Sequence, residues 1–186
     1  MKKLAVVTTT RADYGLLHPV IKGFRKLEDE AFKLILIVTG THLVEKFGYT
    51  VSEIENDGFR IDYKIKTAMN SGSNEEIAEN ISDLIKELTK VFEAEKPDGV
   101  MILGDRYEML GVATASLITS SPILHISGGD TTEGVIDEYI RHALTKMSYL
   151  HFTTNETSKK RVIRMGEEPE RVFNVGSTSI DNIFNE

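Results

Sequence analysis

Seven short apolar runs recur along this chain, and each of the six intervals between them is long enough for a helix. The runs are LAVVT (4–8), LILIVT (34–39), IDYKI (61–65), VMIL (100–103), PILHI (122–126), LHFTT (150–154) and VFNV (172–175). They alternate little between apolar and polar residues, which marks strands buried on both faces. Parallel neighbours need long crossovers, and the periodic intervals supply them. The pattern predicts an α/β domain with a doubly wound, mostly parallel Rossmann-like sheet of about six or seven strands.

The intervals carry their own punctuation. Helical spacing runs over 16–27, with Pro19 near its start, and an irregular helix over 43–58 ends at Gly58. Ser73 and Glu76 match a capping box that opens a helix reaching about Glu95. Pro97, Asp98 and Gly99 form a turn, and helices follow over 107–119, 137–149 and 155–165. There is no internal repeat, low-complexity tract or long linker. A length of 186 residues, 40% of them hydrophobic, fits one domain over 1–186.

Composition narrows the function. Without cysteine there is no disulfide framework, no thiolate nucleophile and no Cys-ligated metal. No two histidines have metal-ligand spacing, so neither a metal nor another cofactor is expected. The net charge of −7 argues against nucleic acid as a partner. The first apolar run is too short for a signal-peptide core, and no run approaches the roughly 20 residues of a membrane span. A cytoplasmic protein with no membrane partner is expected.

In such a sheet, ligands bind beyond the carboxyl ends of the strands. TTTRADYG follows the first strand, GTHL the second, GDRYE the fourth and SGGDTTEG the fifth. Arg11 either holds a phosphate beside a helix N-terminus or is solvated while Asp13 caps the helix. His42 is either a ligand contact or polar surface. Asp105 and Arg106 form either a site acid with its neighbour or a local helix-capping pair. The richest stretch is ILHISGGDTTEGVIDEYIRHALTK (123–146). There Asp137 and Arg141, and Glu138 and His142, are i,i+4 partners on one helix. Gly128, Gly129, Asp130 and Glu133 lie just upstream, and a glycine pair followed by acids suggests a bound ligand. His125 lies inside a strand and reads as a satisfied, half-buried histidine; His18 and His151 read as structural. Carboxylates with arginine and histidine, and no nucleophile elbow, suit proton transfer and elimination.

The order TRADYGLL, GTHL, LGDRYEMLG, HISGGDTTEGVIDEYIRHALTKMSYLHFTT, RMGEEPERVFNVGS resembles the N-terminal half of the hydrolysing UDP-N-acetylglucosamine 2-epimerases. Those enzymes serve the sialic-acid and legionaminic-acid pathways. The likeness runs over essentially the whole chain, and the pairing of GDRYE with IDEYIRHALTKMS is its specific part. It implies the first half of a glycosyltransferase-B-like architecture. It also implies elimination of UDP through a 2-acetamidoglucal, followed by water addition with inversion at C2. Carried over by motif position, Arg11 binds the nucleotide, Asp105 is a catalytic carboxylate and Asp137 is the other acid/base. His42, Arg106, Arg141 and His142 line the sugar side. Many members carry Glu where this chain has Ser127. That leaves a proton-transfer role to Asp130 or Glu133; Asp130 is placed with the catalytic candidates and Glu133 with the substrate-binding ones.

The family's second, C-terminal domain is missing from this sequence, so the expected partners are a UDP-sugar and that domain. The chain alone is expected to be inactive, and the full-length enzyme to be a homo-oligomer. The rival readings are a non-catalytic nucleotide-sugar-binding or regulatory module and a glycosyltransferase-B fragment.

Overall fold

The chain alternates strand and helix throughout: β1 (Lys2–Thr8), α1 (Arg11–Lys26), β2 (Phe32–Val38), α2 (Val51–Asn56), β3 (Tyr63–Lys64), α3 (Asn74–Glu95), β4 (Gly99–Leu103), α4 (Glu108–Ile118), β5 (Ile123–Ile126), α5 (Ile136–Met147), β6 (Leu150–Thr153), α6 (Glu156–Arg164) and β7 (Val172–Asn174). These elements come from a computed structural model that describes residues 1–28, 32–67, 72–132 and 136–180. Among the described residues, seven strands form one sheet in the order β3-β2-β1-β4-β5-β6-β7. Every neighbouring pair is parallel. The expected doubly wound sheet is therefore present. The strand order turns back between β1 and β4, and this is the point where a crevice opens.

Burial explains why the strands lack alternation. Ala5 and Val7 of β1 point into one cluster with Val100 and Ile102, under α3, α4 and α5. Val6 points the opposite way, into a cluster with Leu34, Leu36, Tyr14 and Leu17, under α1 and α2. Consecutive residues thus enter different cores, and both must be apolar. Leu17 and Ile21, one turn apart on α1, are both fully buried.

Three boundaries differ from the sequence reading. First, α1 begins at Arg11, five residues before the expected 16. Thr10 caps it, and Asp13 at N3 completes a reciprocal capping box, which places Pro19 inside the helix. Second, the expected irregular helix over 43–58 is split. Short 3₁₀ turns occupy Gly40–Leu43 and Glu45–Phe47, and left-handed Gly48 and Tyr49 separate them from α2. Third, β3 is only two residues long, an edge strand paired on one side. The Ser73 half of the expected capping box of α3 is present, its hydroxyl accepting from the Glu76 N–H at 3.2 Å. The Glu76 carboxylate also accepts from the Gly72 N–H at 2.6 Å, so the cap extends one residue upstream.

α3 and α4 approach closely at one point. A Cβ on Gly111 would lie 2.8 Å from Leu84 Cβ and 3.1 Å from the Ile81 carbonyl. Ala normally stabilises a helix over Gly by about 0.5–1 kcal/mol. Here the clash should win and Gly111→Ala should cost about 1–3 kcal/mol. Urea unfolding would show this as a lower midpoint at unchanged slope; a raised midpoint would mean that α3 can move aside.

Candidate active site

The carboxyl end of β1 is built around one buried carboxylate. Asp13 accepts from the backbone N–H of Thr9 and of Thr10, each at 3.0 Å, and from the Thr9 hydroxyl at 2.6 Å. The Thr8 hydroxyl donates to it as well. Burial pushes the Asp13 carboxyl up from its usual value, and the hydrogen bonds from Thr8, Thr9 and Thr10 oppose that. Because the Thr8 hydrogen is given to Asp13, its oxygen can only accept from His42. The 3.0 Å contact to Nε2 is therefore an N–H···O bond, which leaves Nδ1 to accept from the Thr50 hydroxyl at 2.7 Å. His42 is fully buried, and burial lowers its pKa to about 4. It is a neutral strut between two crevice loops, shielded from solvent, rather than an open sugar-side contact. Arg11, in contrast, sits exposed in the first turn of α1, with its Nε 3.0 Å from the Glu53 carboxylate.

Beyond β4 lies the charge cluster. Asp105 forms an ion pair with Arg141 of α5, and the two side chains are 18% and 10% exposed. Burial pushes the Asp105 carboxyl up; Arg141 pulls it down, and the nearby charge of Asp137 raises it again. Arg141 therefore reaches across to β4 instead of making the expected i,i+4 pair with Asp137. Its Nε–H is buried and finds no acceptor among the described residues. The other expected pair is present, with His142 Nε2 3.6 Å from Glu138. Arg106 grips fully buried Glu108 with two bonds, of 3.1 and 2.7 Å. The charge of Asp13, on the far side of the strand reversal, also acts on Arg106. The switch point thus brings the β1 and β4 loops within electrostatic reach of each other.

After β5 the chain turns sharply. Ser127 has φ of 64°, a left-handed conformation that costs a side-chain-bearing residue of order 1 kcal/mol. The glycine pair that follows is packed. A Cβ on Gly129 would lie 2.5 Å from the Ser158 carbonyl, so α6 rests directly on the Gly129 backbone. Asp130 accepts from the Thr154 hydroxyl at 2.8 Å and from the Ser158 hydroxyl, and Arg161 donates to the Gly129 carbonyl. Gly129 and Asp130 thus seat α6, a packing role that the sequence reading did not include. Glu133 lies outside the described residues. The sequence reading missed the threonine cage around Asp13 and the buried partner Glu108. The run of three threonines before Arg11 was a signal for the first, because hydroxyls there can surround a carboxylate. Glu108 carried no sequence signal separating it from a surface acid. Among the described residues no group of three His, Cys, Asp or Glu side chains could hold a metal ion.

Residues 25–186 match the family described as UDP-N-acetylglucosamine 2-epimerase. The chain is 42% identical over 184 residues to a UDP-N,N'-diacetylbacillosamine 2-epimerase (hydrolyzing) of Legionella pneumophila, covering 99% of this chain and 48% of the relative. It is 41% identical to a GDP/UDP-N,N'-diacetylbacillosamine 2-epimerase (hydrolyzing) of Campylobacter jejuni, covering 99% and 47%. Among solved structures, UDP-GlcNAc 2-epimerase from Neisseria meningitidis bound to UDP-GlcNAc superposes with a TM-score of 0.83 at 26% identity, covering 100% of this chain and 49% of that one. A lipopolysaccharide outer core galactosyltransferase superposes at 0.63 with 10% identity, over 95% of this chain and 45% of that one, which speaks for the fold alone. The chain spans about half the length of the relatives it matches.

The buried histidine sets a pH dependence. The folded protein excludes protonated His42, whose pKa of about 4 lies below the 6.5 of an exposed imidazole. Its contribution to stability is complete above about pH 6.5 and is lost as pH falls toward 4, at up to about 1.4 kcal/mol per unit. The stability gap between wild type and His42→Gln should therefore narrow as pH falls through that window. A gap constant from about pH 7 to about pH 4 in chemical denaturation would show that His42 is not held neutral.

Proposed function

We infer the function from one premise: the chain belongs to the UDP-N-acetylglucosamine 2-epimerase family. It is the amino-terminal half of a hydrolysing 2-epimerase that acts on UDP-N-acetylglucosamine or a related UDP-N-acetylhexosamine. The names of the Legionella and Campylobacter relatives favour a diacetylated sugar of the bacillosamine type. The 41% identity to a polysialic acid biosynthesis protein of Escherichia coli favours a place in sialic-acid-type sugar synthesis. No helix among the described residues is long and apolar enough to cross a membrane, and we place the enzyme in the cytoplasm.

The observation that carries this reading is the Asp105–Arg141 pair with Asp137 beside it, at the carboxyl edge of the sheet. In the first half of the reaction a carboxylate takes the proton from C2 of the sugar. The electron pair forms the C1–C2 double bond, and the C1–O bond to UDP breaks with its electrons leaving on the diphosphate. In the second half a proton is delivered to C2 from the opposite face and water adds its oxygen to C1, losing a proton. Two proton-transfer groups on opposite faces are needed, and Asp105 and Asp137 fill those roles. Arg11, at a helix N-terminus, is set for the diphosphate. Arg106 and His142 border the sugar, while His42 and Asp130 hold the loops that carry these groups.

Only part of the apparatus for holding UDP and stabilising its departing charge is present, so residues 1–186 alone should release little or no UDP. In a protein of the relatives' full length, Asp105→Asn and Asp137→Asn should each lower kcat by about a hundredfold or more. Their melting curves should differ. Asp105→Asn leaves buried Arg141 without its charge partner and should cost about 1–3 kcal/mol, whereas partly exposed Asp137 should cost little. Unchanged UDP release by both variants would remove these acids from the mechanism. Fast release by residues 1–186 alone would show that the second half is dispensable.

A further inference from the structure

His125 occupies a place where a branched aliphatic residue would serve the core better. On β5 it alternates with Ile123, and in register it stands between Ile102 of β4 and His151 of β6. Ile123 and Ile102 belong to the cluster beneath α3, α4 and α5. The imidazole is entirely buried there, and burial lowers its pKa to about 4, so the ring is neutral. A buried polar group is costly unless hydrogen-bonded. Among the described residues this ring makes one bond, from Nε2 to the Gly104 carbonyl at 2.8 Å. Its Nδ1 is buried with no partner among the described residues. An aliphatic side chain would fill this core position without desolvating a polar ring, so stability alone does not account for the imidazole.

What the ring holds is specific. Gly104 lies in the left-handed region, with φ of 75°, at the point where the chain leaves β4 and turns into Asp105. Its N–H donates to the Ile126 carbonyl at 3.0 Å. Its own carbonyl belongs to the peptide that joins it to Asp105 and takes the His125 bond. The two peptide groups on either side of Gly104 are thus clamped to β5, one by main chain and the other by this side chain. On its far side the ring faces the turn after β5, where a Cβ on Gly128 would come within 3.0 Å of Nδ1. One imidazole is wedged between the turn that bears Asp105 and the turn that follows β5.

We infer that His125 is a positioning residue: by donating from Nε2 to the Gly104 carbonyl it fixes the peptide plane from which Asp105 projects, and so aims that carboxylate. The inference rests on the reading of Asp105 as a proton-transfer group. The reach of the donor matters more than its charge. A Gln amide can reach where Nε2 reaches, an Asn amide stops short at the Nδ1 position, and Leu fills the space without a donor.

The test uses a protein of the relatives' full length, with UDP release from UDP-N-acetylglucosamine and from its 4-acetamido-4,6-dideoxy analogue as the assay, beside melting curves and crystal structures. His125→Leu should lower kcat by about ten- to a hundredfold, the scale of a misplacement near 1 Å, while KM changes by less than about threefold. His125→Gln should recover to within about fivefold of wild type, and His125→Asn should not. The Gln–Asn contrast is read between two polar variants and stands even if the Leu variant does not fold. In the crystal, the Asp105 carboxylate should be displaced in the Asn variant and in place in the Gln variant. Equal activity of the Gln and Asn variants, or an undisplaced Asp105 in the Asn variant, overturns the proposal. If wild type turns over neither nucleotide sugar, the functional reading falls, and the crystal comparison decides the positioning role without it.

Discussion

Parallel pairing in one direction is the constraint from which everything at the crevice follows. β1 pairs with β2 over seven residues and with β4 over three, all in the same sense. Each strand therefore delivers its following loop to the same edge, and the reversal between β1 and β4 parts two of those loops. Arg11, His42, Asp105 and Asp130 are separated by tens of residues in sequence but leave the sheet on one side. None of them needs a dedicated device to reach the others' neighbourhood; they need devices only to hold their directions once there.

Those devices are buried polar contacts, and they are specific to each loop. Asp13 gathers the Thr8–Thr10 segment around its carboxylate, and Thr8 passes the chain of hydrogen bonds on to His42 and Thr50. Glu108 anchors Arg106, Asp130 anchors α6, and His125 clamps Gly104. Each replaces a contact that an aliphatic residue could make, at the cost of desolvating polar atoms. The sheet beneath is ordinary aliphatic packing. The edge is a rigid polar lattice, and this division matches what each part is for.

Much of the fold was legible in the sequence because its signals are local. All seven strands fell where short apolar runs stood, and the helices over 74–95, 108–118, 136–147 and 156–164 lay within a few residues of their expected limits. α1 was misplaced because its start depends on Thr10 and Asp13 meeting across three residues, and the more visible Pro19 suggested a later start. At the candidate site, the β4 and α5 acids stood out in the sequence because charges are unusually dense there, and the fold brings Asp105, Arg141 and Asp137 together. Three things were hidden. The i,i+4 rule assigned Arg141 to Asp137, but the fold offered Asp105 at closer range. His42 read as a loop histidine because nothing in GTHL reveals that it is buried. The packing role of Gly129 was missed because the contact with Ser158 is more than twenty residues away in sequence. In each case the deciding partner was remote, and periodicity does not report remote partners.

Two of the arginine–carboxylate pairs at the crevice differ in one respect with a wider consequence. The Arg11–Glu53 pair lies in solvent, with side chains 74% and 43% exposed, whereas Arg141–Asp105 is largely enclosed, at 10% and 18%. Dissolved ions screen the first kind of charge within about 10 Å at ordinary ionic strength and hardly reach the second. Added salt therefore separates the two tasks assigned to them. On the proposed roles, it would weaken the outer arginine's hold on a diphosphate arriving from solution and leave the inner carboxylate–guanidinium pair at nearly its full strength. On that reading ionic strength would act on how often the crevice is filled, and little on what happens once it is.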